Sequence, residues 1–444
     1  MKKIVLIGAN HAGTAAANTI LDQYPDYKLK IFDRNSNISY LGCGTALWIG
    51  KQIHSTEGLF YSSPEALRAK GADILAETEV KNIDFAGKTV KALTKSGEEI
   101  TESYDKLIIA SGSVPIHPRI PGIDLENVRH VKLFQDGQAI NEALESDDVK
   151  NVIVVGAGYI GVEIAEAAQR RGKNTFLFES ADTSLSSYYD PWFTKDMDEN
   201  LQDHGVKLRF GETITEICGD GKVESVKTTK GEYPADLVLL AIGFVPNTSL
   251  IGDSLEKFRN GAILVDKHQQ TSDPDVYAIG DSATVWNNAT GKQDYIALAT
   301  NAVRSGIVAA HNACGTALES SGVQGSNGIS IYGLNMVSTG LNLAAAKKAG
   351  FDPLYTEYED LQKPGFIENN NYKVKIRIVY DKETRRVLGA QMESYQDISM
   401  GIHMFSLAIE QQLTIDKLAL LDIFFLPHFN QPYNYITMAA LNAK

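Results

Sequence analysis

A single cysteine carries the clearest chemical signal in this chain. Cys43 stands between Gly42 and Gly44, shortly after Asp33, where a predicted strand ends. An accessible thiolate reacts with peroxides to give sulfenic acid, whereas an internal disulfide needs a second thiol. The position that would complete a Cys-x4-Cys pair holds Trp48. We therefore expect Cys43 to cycle through sulfenic acid or a mixed disulfide with a small thiol. We also expect a helix start at Cys43 to lower its pKa.

The first elements that position this thiol are a strand, a loop and a helix at the N-terminus. The loop Gly8-Ala9-Asn10-His11-Ala12-Gly13 follows the apolar run Ile4–Ile7 and opens an alanine-rich helix, Ala12–Leu21. It departs from the G-x-G-x-x-G fingerprint because Asn10 replaces the glycine that lets a pyrophosphate approach closely. A tight strand-to-helix turn is the alternative interpretation. A carboxylate at the end of the second strand binds ribose hydroxyls in such units. The pattern predicts a dinucleotide site that includes Gly8, Asn10, His11, Ala12, Gly13 and Asp33.

A second loop matches the complete fingerprint. Gly156-Ala157-Gly158-Tyr159-Ile160-Gly161 lies between the predicted strand Asn151–Val155 and a helix through Glu163 to Gln169. The next strand ends at Glu179, which would bind a ribose 2′-hydroxyl and repel a 2′-phosphate. This pattern favours NADH over NADPH. Two arginines near the end of the helix either serve a 2′-phosphate or lie on its solvated end: Arg170 and Arg171.

The two loops belong to an internal duplication. The strand Leu237–Ala241, closed by Gly243, mirrors the strand that runs from Lys106 into Ala110-Ser111-Gly112. The last part of the chain differs, with predicted strands at Tyr372–Tyr380 and Val387–Glu393 and a helix at Ile402–Gln411. The pattern predicts an α/β protein with two Rossmann-like (three-layer ββα) nucleotide-binding domains and a C-terminal α+β domain. The predicted boundaries are 1–113 with 245–321, 114–244, and 322–444.

A third polar signal follows an apolar strand late in the chain. Ala278-Ile279-Gly280-Asp281 runs into a predicted helix with a free N-terminus. Asp281 would accept a hydrogen bond from a ribityl hydroxyl, while the helix amides face a pyrophosphate. The alternative is an N-cap aspartate, and both roles are compatible.

The composition excludes several classes of partner. The chain has 444 residues, 43% hydrophobic and 22% charged, with a net charge of −13. The negative charge argues against nucleic acid or an anionic membrane as a partner. No apolar stretch approaches membrane-spanning length. Three cysteines in a chain of this length predict no disulfide scaffold, so a cytoplasmic location is expected.

Over nearly its full length the chain resembles the flavoprotein pyridine nucleotide–disulfide oxidoreductases. The likeness rests on the two loops, the turns after Ala110 and Ala241, and the Gly280-Asp281 pair. It implies FAD at the first loop, NADH at the second, and a C-terminal domain that forms a homodimer, with a dimer of dimers left open. The FAD contacts implied are the first-loop residues with Asp33, Cys43, Ser111, Gly112, Asp281 and Ala299. The NADH contacts implied are Gly156, Gly158, Tyr159, Ile160, Gly161, Glu163, Glu179 and Gly243.

Within this family the chain resembles the single-cysteine branch. Coenzyme A-disulfide reductases carry a C-terminal tyrosine that the stretch Phe424–Tyr433 lacks at the corresponding place. NADH peroxidases carry an arginine directly after Ala-Thr-Asn-Ala, but here Val303 intervenes before Arg304, which turns the side chain by about 100° on a helix. The segments Ala46–Gly50 and Gly58–Pro64 are similar to those of water-forming NADH oxidases. Three residues near the thiol depart from these relatives: Tyr40 replaces a phenylalanine, Gly42 a serine and Thr45 a methionine.

The resemblance implies a four-electron reaction. NADH reduces the flavin, O2 gives a flavin hydroperoxide, and the peroxide oxidises Cys43 to sulfenic acid with loss of water. A second NADH restores the thiolate and releases the second water. His11 would hydrogen-bond the thiolate or sulfenate, or protonate a leaving hydroxide; a structural histidine is the alternative. Tyr159 would cover the nicotinamide pocket or be an ordinary helix aromatic. Glu163 would orient the nicotinamide amide or face solvent.

Two other functions stay open at this point. One is an NADH peroxidase or an oxidase that releases H2O2. The other is a flavoprotein redox sensor whose oxidised Cys43 changes its contacts with a partner. The complete NADH fingerprint favours an enzyme over a sensor.

Overall fold

Two parallel sheets of five strands each organise residues 1 to about 300 in the computed structural model, which describes all residues 1–444. The strands of the first sheet, in spatial order, are Val276–Ala278, Lys106–Ile109, Lys2–Ile7, Tyr27–Phe32 and Asp73–Leu75. Those of the second are Lys207–Phe210, Asn174–Glu179, Asn151–Val155, Leu237–Leu240 and Val128–His130. Their apolar runs are buried on both faces, as parallel strands require.

Each parallel sheet packs against a three-stranded antiparallel sheet. Thr78–Asp84, Thr89–Thr94 and Glu99–Ser103 accompany the first sheet, and Ile214–Cys218, Ser225–Thr228 and Glu232–Pro234 accompany the second. Helices cover the opposite faces, so the three-layer ββα arrangement and the duplication predicted from the sequence are confirmed. The chain crosses between the two units through paired short strands, Ser113–Pro115 and Phe244–Pro246.

The C-terminal region is a five-stranded antiparallel sheet with helices on it. Its strands, in spatial order, are Asn327–Ile331, Leu334–Gly340, Val387–Ser394, Lys373–Asp381 and Pro353–Leu361. The predicted strands near Tyr372 and Val387 and the predicted helix near Ile402 are therefore present. The turn at Tyr332 inserts into the second unit, where its NH donates to Glu166 Oε1 at 2.9 Å.

Eleven α-helices connect these sheets. They are His11–Gln23, Thr45–Ile49, Pro64–Ala69, Phe134–Glu145, Tyr159–Arg170, Pro191–Asp203, Ala299–Ala313, Leu343–Lys348, Ser399–Glu410, Ile415–Ala419 and Tyr435–Leu441. The first and the seventh pack so closely that a Cβ on Gly306 would stand 2.3 Å from the carbonyl oxygen of Ala12. No helix combines the length and the apolar character needed to cross a membrane.

One predicted element is wrong. The sequence predicted a helix directly after Asp281, but the structure has a single 3-10 turn there, Gly280–Ser282. The β-branched residues that follow instead form a hairpin, Val285–Asn287 with Lys292–Asp294. The next helix begins only at Ala299.

Candidate active site

The first nucleotide loop is held in shape by contacts that admit only glycine. Gly8 has a φ of +94°, and a Cβ there would stand 2.3 Å from the carbonyl oxygen of Ala110. A Cβ on Gly13 would stand 1.9 Å from the carbonyl oxygen of Gly8. Asn10 begins the helix without a side-chain capping bond, and it is exposed. The ends of the loop therefore lie tightly on the sheet, while its middle residue Asn10 is exposed.

Asp33 is fixed at the tip of the second strand by backbone amides. Its Oδ2 accepts from the Ala9 NH at 2.7 Å, and its Oδ1 accepts from the Asn35 NH at 2.8 Å. Burial raises the pKa of Asp33, and the two amides and Arg34 oppose the rise. The carboxylate is thus oriented over the loop, with lone pairs left for the hydroxyls of a ribose.

These residues line a cavity of about 500 Å³. Its lining includes three groups: Asp33 with Thr78–Lys81, the glycine loop, and Lys132–Phe134. A carboxylate for a ribose, a glycine loop at a helix start and polar groups beyond it match the parts of a dinucleotide. The cavity therefore fits FAD. It brings together most of the predicted FAD residues: Gly8, Asn10, His11, Ala12, Gly13, Asp33, Ser111, Gly112 and Asp281.

Two predicted FAD residues lie outside this cavity. Ala299 begins its helix but is not part of the lining; Ala302, one turn further on, is. Cys43 lines a separate, neighbouring cavity.

Lys132 lines the flavin cavity but was not among the residues predicted from the sequence. Lys132 Nζ donates to Ser113 Oγ at 2.7 Å, and Ser113 Oγ donates to Asp281 Oδ2 at 2.8 Å. The ammonium also lies 4.2 Å from the centre of the Phe244 ring. Burial lowers the pKa of Lys132, and Asp281 opposes this. No motif surrounds Lys132; a lone lysine between apolar Val131 and Leu133 was the only available signal.

The second nucleotide loop repeats the design of the first. Gly156 has a φ of +96°, and a Cβ there would stand 2.5 Å from the carbonyl oxygen of Ala241. Glu179 Oε2 accepts from the Ala157 NH at 2.8 Å, and its Oε1 accepts from the Ala181 NH at 3.0 Å. Burial would raise the pKa of Glu179, but these amides outweigh it and the pKa is lowered. A Cβ on Gly158 would have no neighbouring atom within 4 Å, so the space beside the loop is open.

The nearby arginines are committed elsewhere. Arg170 donates to Glu166 Oε1 at 2.8 Å, and its guanidinium lies 4.8 Å from the centre of the Tyr332 ring. Arg171 donates to the carbonyl oxygen of Ile49 at 3.0 Å and pairs with Glu145. None of these partners is Glu179.

Two further residues of this helix face different regions. Tyr159 Oη is hydrogen-bonded to Tyr189 Oη at 2.9 Å and to Asn327 Oδ1, so the phenol joins the second unit to the C-terminal sheet. Glu163 has no hydrogen bond or ion pair and lines the cavity that contains Cys43. Burial and the charge of Glu166 raise the pKa of Glu163 to about 7. Gly158, Ile160 and Gly243 lie at the carboxyl edge of the second parallel sheet; the first two are partly exposed and Gly243 is exposed.

Cys43 is exposed in a 3-10 turn, Gly42–Gly44, directly before the helix Thr45–Ile49. Its cavity of about 310 Å³ is lined by all three structural units, including Glu163 and Val337. Burial among surrounding atoms raises the pKa of the thiol; Glu163 adds to the rise, and its own NH and Lys132 oppose it. The expected lowering of the pKa by the helix start is therefore wrong: a short turn does not outweigh desolvation and a facing carboxylate.

Known proteins with the same arrangement identify the family. Residues 2–306 match the family model of pyridine nucleotide-disulphide oxidoreductases, and residues 329–434 match the dimerisation domain of that family. This chain belongs to the pyridine nucleotide-disulphide oxidoreductases. FAD and a pyridine nucleotide are the cofactors of this family.

Individual relatives cover the whole chain. The NADH oxidase of Streptococcus pyogenes serotype M6 is 59% identical and that of Lactococcus lactis subsp. cremoris 58%, each aligned over 100% of both chains. The structure of the water-forming NADH oxidase from Lactobacillus brevis bound to NADH is similar with a TM-score of 0.96. It is 39% identical and covers 99% of this chain and 98% of that one.

Trp48 occupies the position that would complete a Cys-x4-Cys pair with Cys43. Its ring stacks on Phe134 with centroids 5.5 Å apart and planes 17° from parallel. Tyr40 Oη and Thr45 Oγ1 are hydrogen-bonded to each other, and both residues are buried. Two of the departures noted around the thiol therefore form a single contact.

His11 lines the flavin cavity. Its imidazole is hydrogen-bonded to Tyr61 and not to Cys43. His11 Nδ1 lies 3.0 Å from Tyr61 Oη, and no hydrogen bond joins His11 to Cys43. Burial lowers the pKa of His11, with Asp281 opposing and Lys132 adding to the effect. The lowered pKa favours the neutral imidazole, and its Nε2 has no partner within the protein.

Proposed function

We propose that this chain is an FAD-dependent NADH oxidase that reduces O2 to water with four electrons from two NADH. The observation that carries the proposal is Cys43, an accessible thiol beside the flavin cavity. Trp48 fills the position that would complete a Cys-x4-Cys pair with it. The identity to NADH oxidases over the full chain supports the same substrates.

The cofactors have separate places in this proposal. FAD would be held by the first loop, Asp33 and Asp281 within 1–113 and 245–321, and NADH by the second loop and Glu179 within 114–244. When bound, FAD supplies hydride acceptance from NADH and electron transfer to O2. Glu179 accepts from the ribose 2′-hydroxyl and disfavours NADPH. Glu163 and Tyr159 complete the nicotinamide side.

Cys43 then removes the peroxide. Its thiolate attacks one peroxide oxygen, the O–O bond breaks, and sulfenic acid and hydroxide form; the hydroxide takes a proton to become water. Two electrons from the second NADH and one proton convert the sulfenic acid into thiolate and the second water. Lys132 favours the thiolate by its charge. Because Glu163 has a pKa of about 7, its neutral form is populated near neutral pH, which reduces its opposition to the thiolate.

Arg304 supports O2 rather than peroxide as the oxidant. Its Nη2 donates to Asn301 Oδ1 at 2.7 Å, and Arg304 lines neither the flavin cavity nor the Cys43 cavity. An oxidase that releases H2O2 is the second candidate, since the raised pKa of Cys43 disfavours the thiolate that would reduce the peroxide.

We also propose a homodimer through residues 322–444. Large apolar side chains are exposed together near the C-terminus, with Leu420 at 85% and Tyr433 at 72% exposure. A match to a dimerisation domain over most of this region supports the same surface.

Simultaneous measurement of O2 and NADH tests the reaction. We expect one O2 consumed per two NADH without detectable H2O2; a one-to-one ratio with accumulating H2O2 would contradict the proposal.

In Cys43→Ser, NADH oxidation should persist while the product shifts to H2O2, because the peroxide-reducing group is gone. Cys218→Ser removes a thiol from a distant strand and should leave the product unchanged. Water as the sole product of Cys43→Ser would show that another group reduces the peroxide.

A further inference from the structure

Tyr61 is the one side chain hydrogen-bonded to the imidazole of His11. The Tyr61 and His11 rings are 5° from parallel with centroids 5.8 Å apart, and Oη lies 3.0 Å from Nδ1. The loop that carries Tyr61 is pinned beside it, since Ser39 Oγ donates to the Ser62 carbonyl at 2.7 Å and accepts from the Ser62 NH at 2.8 Å. The contact therefore comes from a fixed segment, although Tyr61 is 48% exposed.

The protonation states of the two groups limit how they bond. Burial around the hydroxyl raises the pKa of Tyr61 to about 12, with Thr14 opposing. Burial lowers the pKa of His11. Near neutral pH the phenol thus keeps its proton and the imidazole is neutral, with one NH and one bare nitrogen.

We propose that Tyr61 is a positioning residue that donates its hydroxyl proton to His11 Nδ1 in a hydrogen bond and so places the imidazole proton on Nε2. Nε2 has no protein partner, and His11 lines the flavin cavity. In the opposite tautomer a lone pair would occupy that place and repel a thiolate or a peroxide oxygen. With the proton on Nε2, His11 donates a hydrogen bond to whichever oxygen or sulfur anion forms there. This use of the proton rests on the proposed function.

The chain contains a matched pair of the same atoms far from the site. Tyr24 Oη lies 2.6 Å from His311 Nδ1, at the packed contact between the first and seventh helices. Tyr24→Phe removes the same kind of hydrogen bond as Tyr61→Phe, so it controls for the general effect of losing a tyrosine hydroxyl beside a histidine.

Nitrogen NMR of the FAD-loaded protein with ¹⁵N-labelled histidine tests the tautomer directly. His11→Asn assigns the His11 signals among the nine histidines. We expect wild-type His11 to show a protonated Nε2 and a bare Nδ1, and Tyr61→Phe to move both signals toward a mixture of tautomers. Tyr24→Phe should move only the His311 signals. A wild-type Nδ1–H tautomer, or an unchanged tautomer in Tyr61→Phe, would overturn the proposal.

Kinetics give a second readout. Tyr61→Phe should lower kcat by about fivefold to tenfold, the loss of one neutral hydrogen bond, with KM for NADH unchanged. The pH profile of kcat should shift as well, whereas Tyr24→Phe should leave both unchanged. The NMR measurement needs no turnover. Release of H2O2 by the enzyme would therefore refute the proposed function without changing the test of the tautomer.

Discussion

The two nucleotide loops, Gly8–Gly13 and Gly156–Gly161, are joined to their sheets by matching bonds. The Gly8 NH donates to the Phe32 carbonyl and the Gly156 NH to the Phe178 carbonyl, each at 2.8 Å. The loops differ at the middle position, which is Asn10 in one and Gly158 in the other. Only the first and last glycines touch neighbouring backbone, while open space surrounds Gly158. The protein itself therefore requires glycine at the ends of both loops, whereas only a bound ligand would constrain the centre.

The acids at the ends of the second strands of the two units differ in burial and in pKa. Asp33 is 7% exposed and its pKa is raised by burial, whereas Glu179 is half-buried and its pKa is lowered by amides. Under the proposed function, the deeper first site would hold FAD as a resident group, and the more open second site would admit an NADH that enters and leaves. The same backbone arrangement would then serve both purposes, with the burial of the acid as the difference.

The first glycine of each loop should give the largest effect. Gly8→Ala should abolish FAD retention, because a Cβ would overlap the Ala110 carbonyl and the positive φ alone costs about 1–2 kcal/mol. Gly156→Ala should leave the flavin spectrum intact but abolish saturation by NADH. Flavin absorbance and NADH titration measure the two outcomes. Gly58→Ala, at an open position, is the control. Loss of FAD from Gly156→Ala would show that the two loops are not independent.

Exchanging the middle residues should give a smaller and asymmetric effect. Gly158→Asn fills the open space beside the loop and should raise KM for NADH on the order of 100-fold, by displacing the nucleotide. Asn10→Gly should change FAD retention little, since Asn10 makes no capping bond. Steady-state kinetics and flavin content decide this. Equal effects of the two exchanges would contradict the idea that the ligand alone constrains the centre.

The acids should give the smallest effect. Glu179→Gln keeps an acceptor for the Ala157 NH but removes the charge that repels a 2′-phosphate. The ratio of kcat/KM for NADPH to that for NADH should rise about tenfold, or about 1.4 kcal/mol. Asp33→Asn, the counterpart in the first unit, should weaken FAD retention and leave this ratio unchanged. If Glu179→Gln leaves the ratio unchanged, another residue sets the preference.

Much of this architecture was predictable because its signals are local. The glycine loops, the strands before them and the acids after them follow from a backbone that must turn tightly and from buried parallel strands. The helix expected after Asp281 was wrong because Thr284 and Val285 favour a strand once a hairpin partner is available.

Contacts between residues far apart in the chain were not predictable. Lys132 arrives there because Val128–His130 pairs with Leu237–Leu240 and carries the following residues to the cavity. Tyr61 contacts His11 across a loop, and Glu163 meets Cys43 only through the packing of separate units. Such contacts depend on tertiary placement, which no spacing along the chain encodes.

The Tyr40–Thr45 contact has a consequence for how this thiol site changes over generations. Each hydroxyl is the other's sole partner, and both residues are 5% exposed. Replacing one alone leaves a buried hydroxyl without a partner, at about 1–3 kcal/mol. Exchanging the two residues one at a time would therefore pass through a less stable intermediate. We expect the two positions to change together.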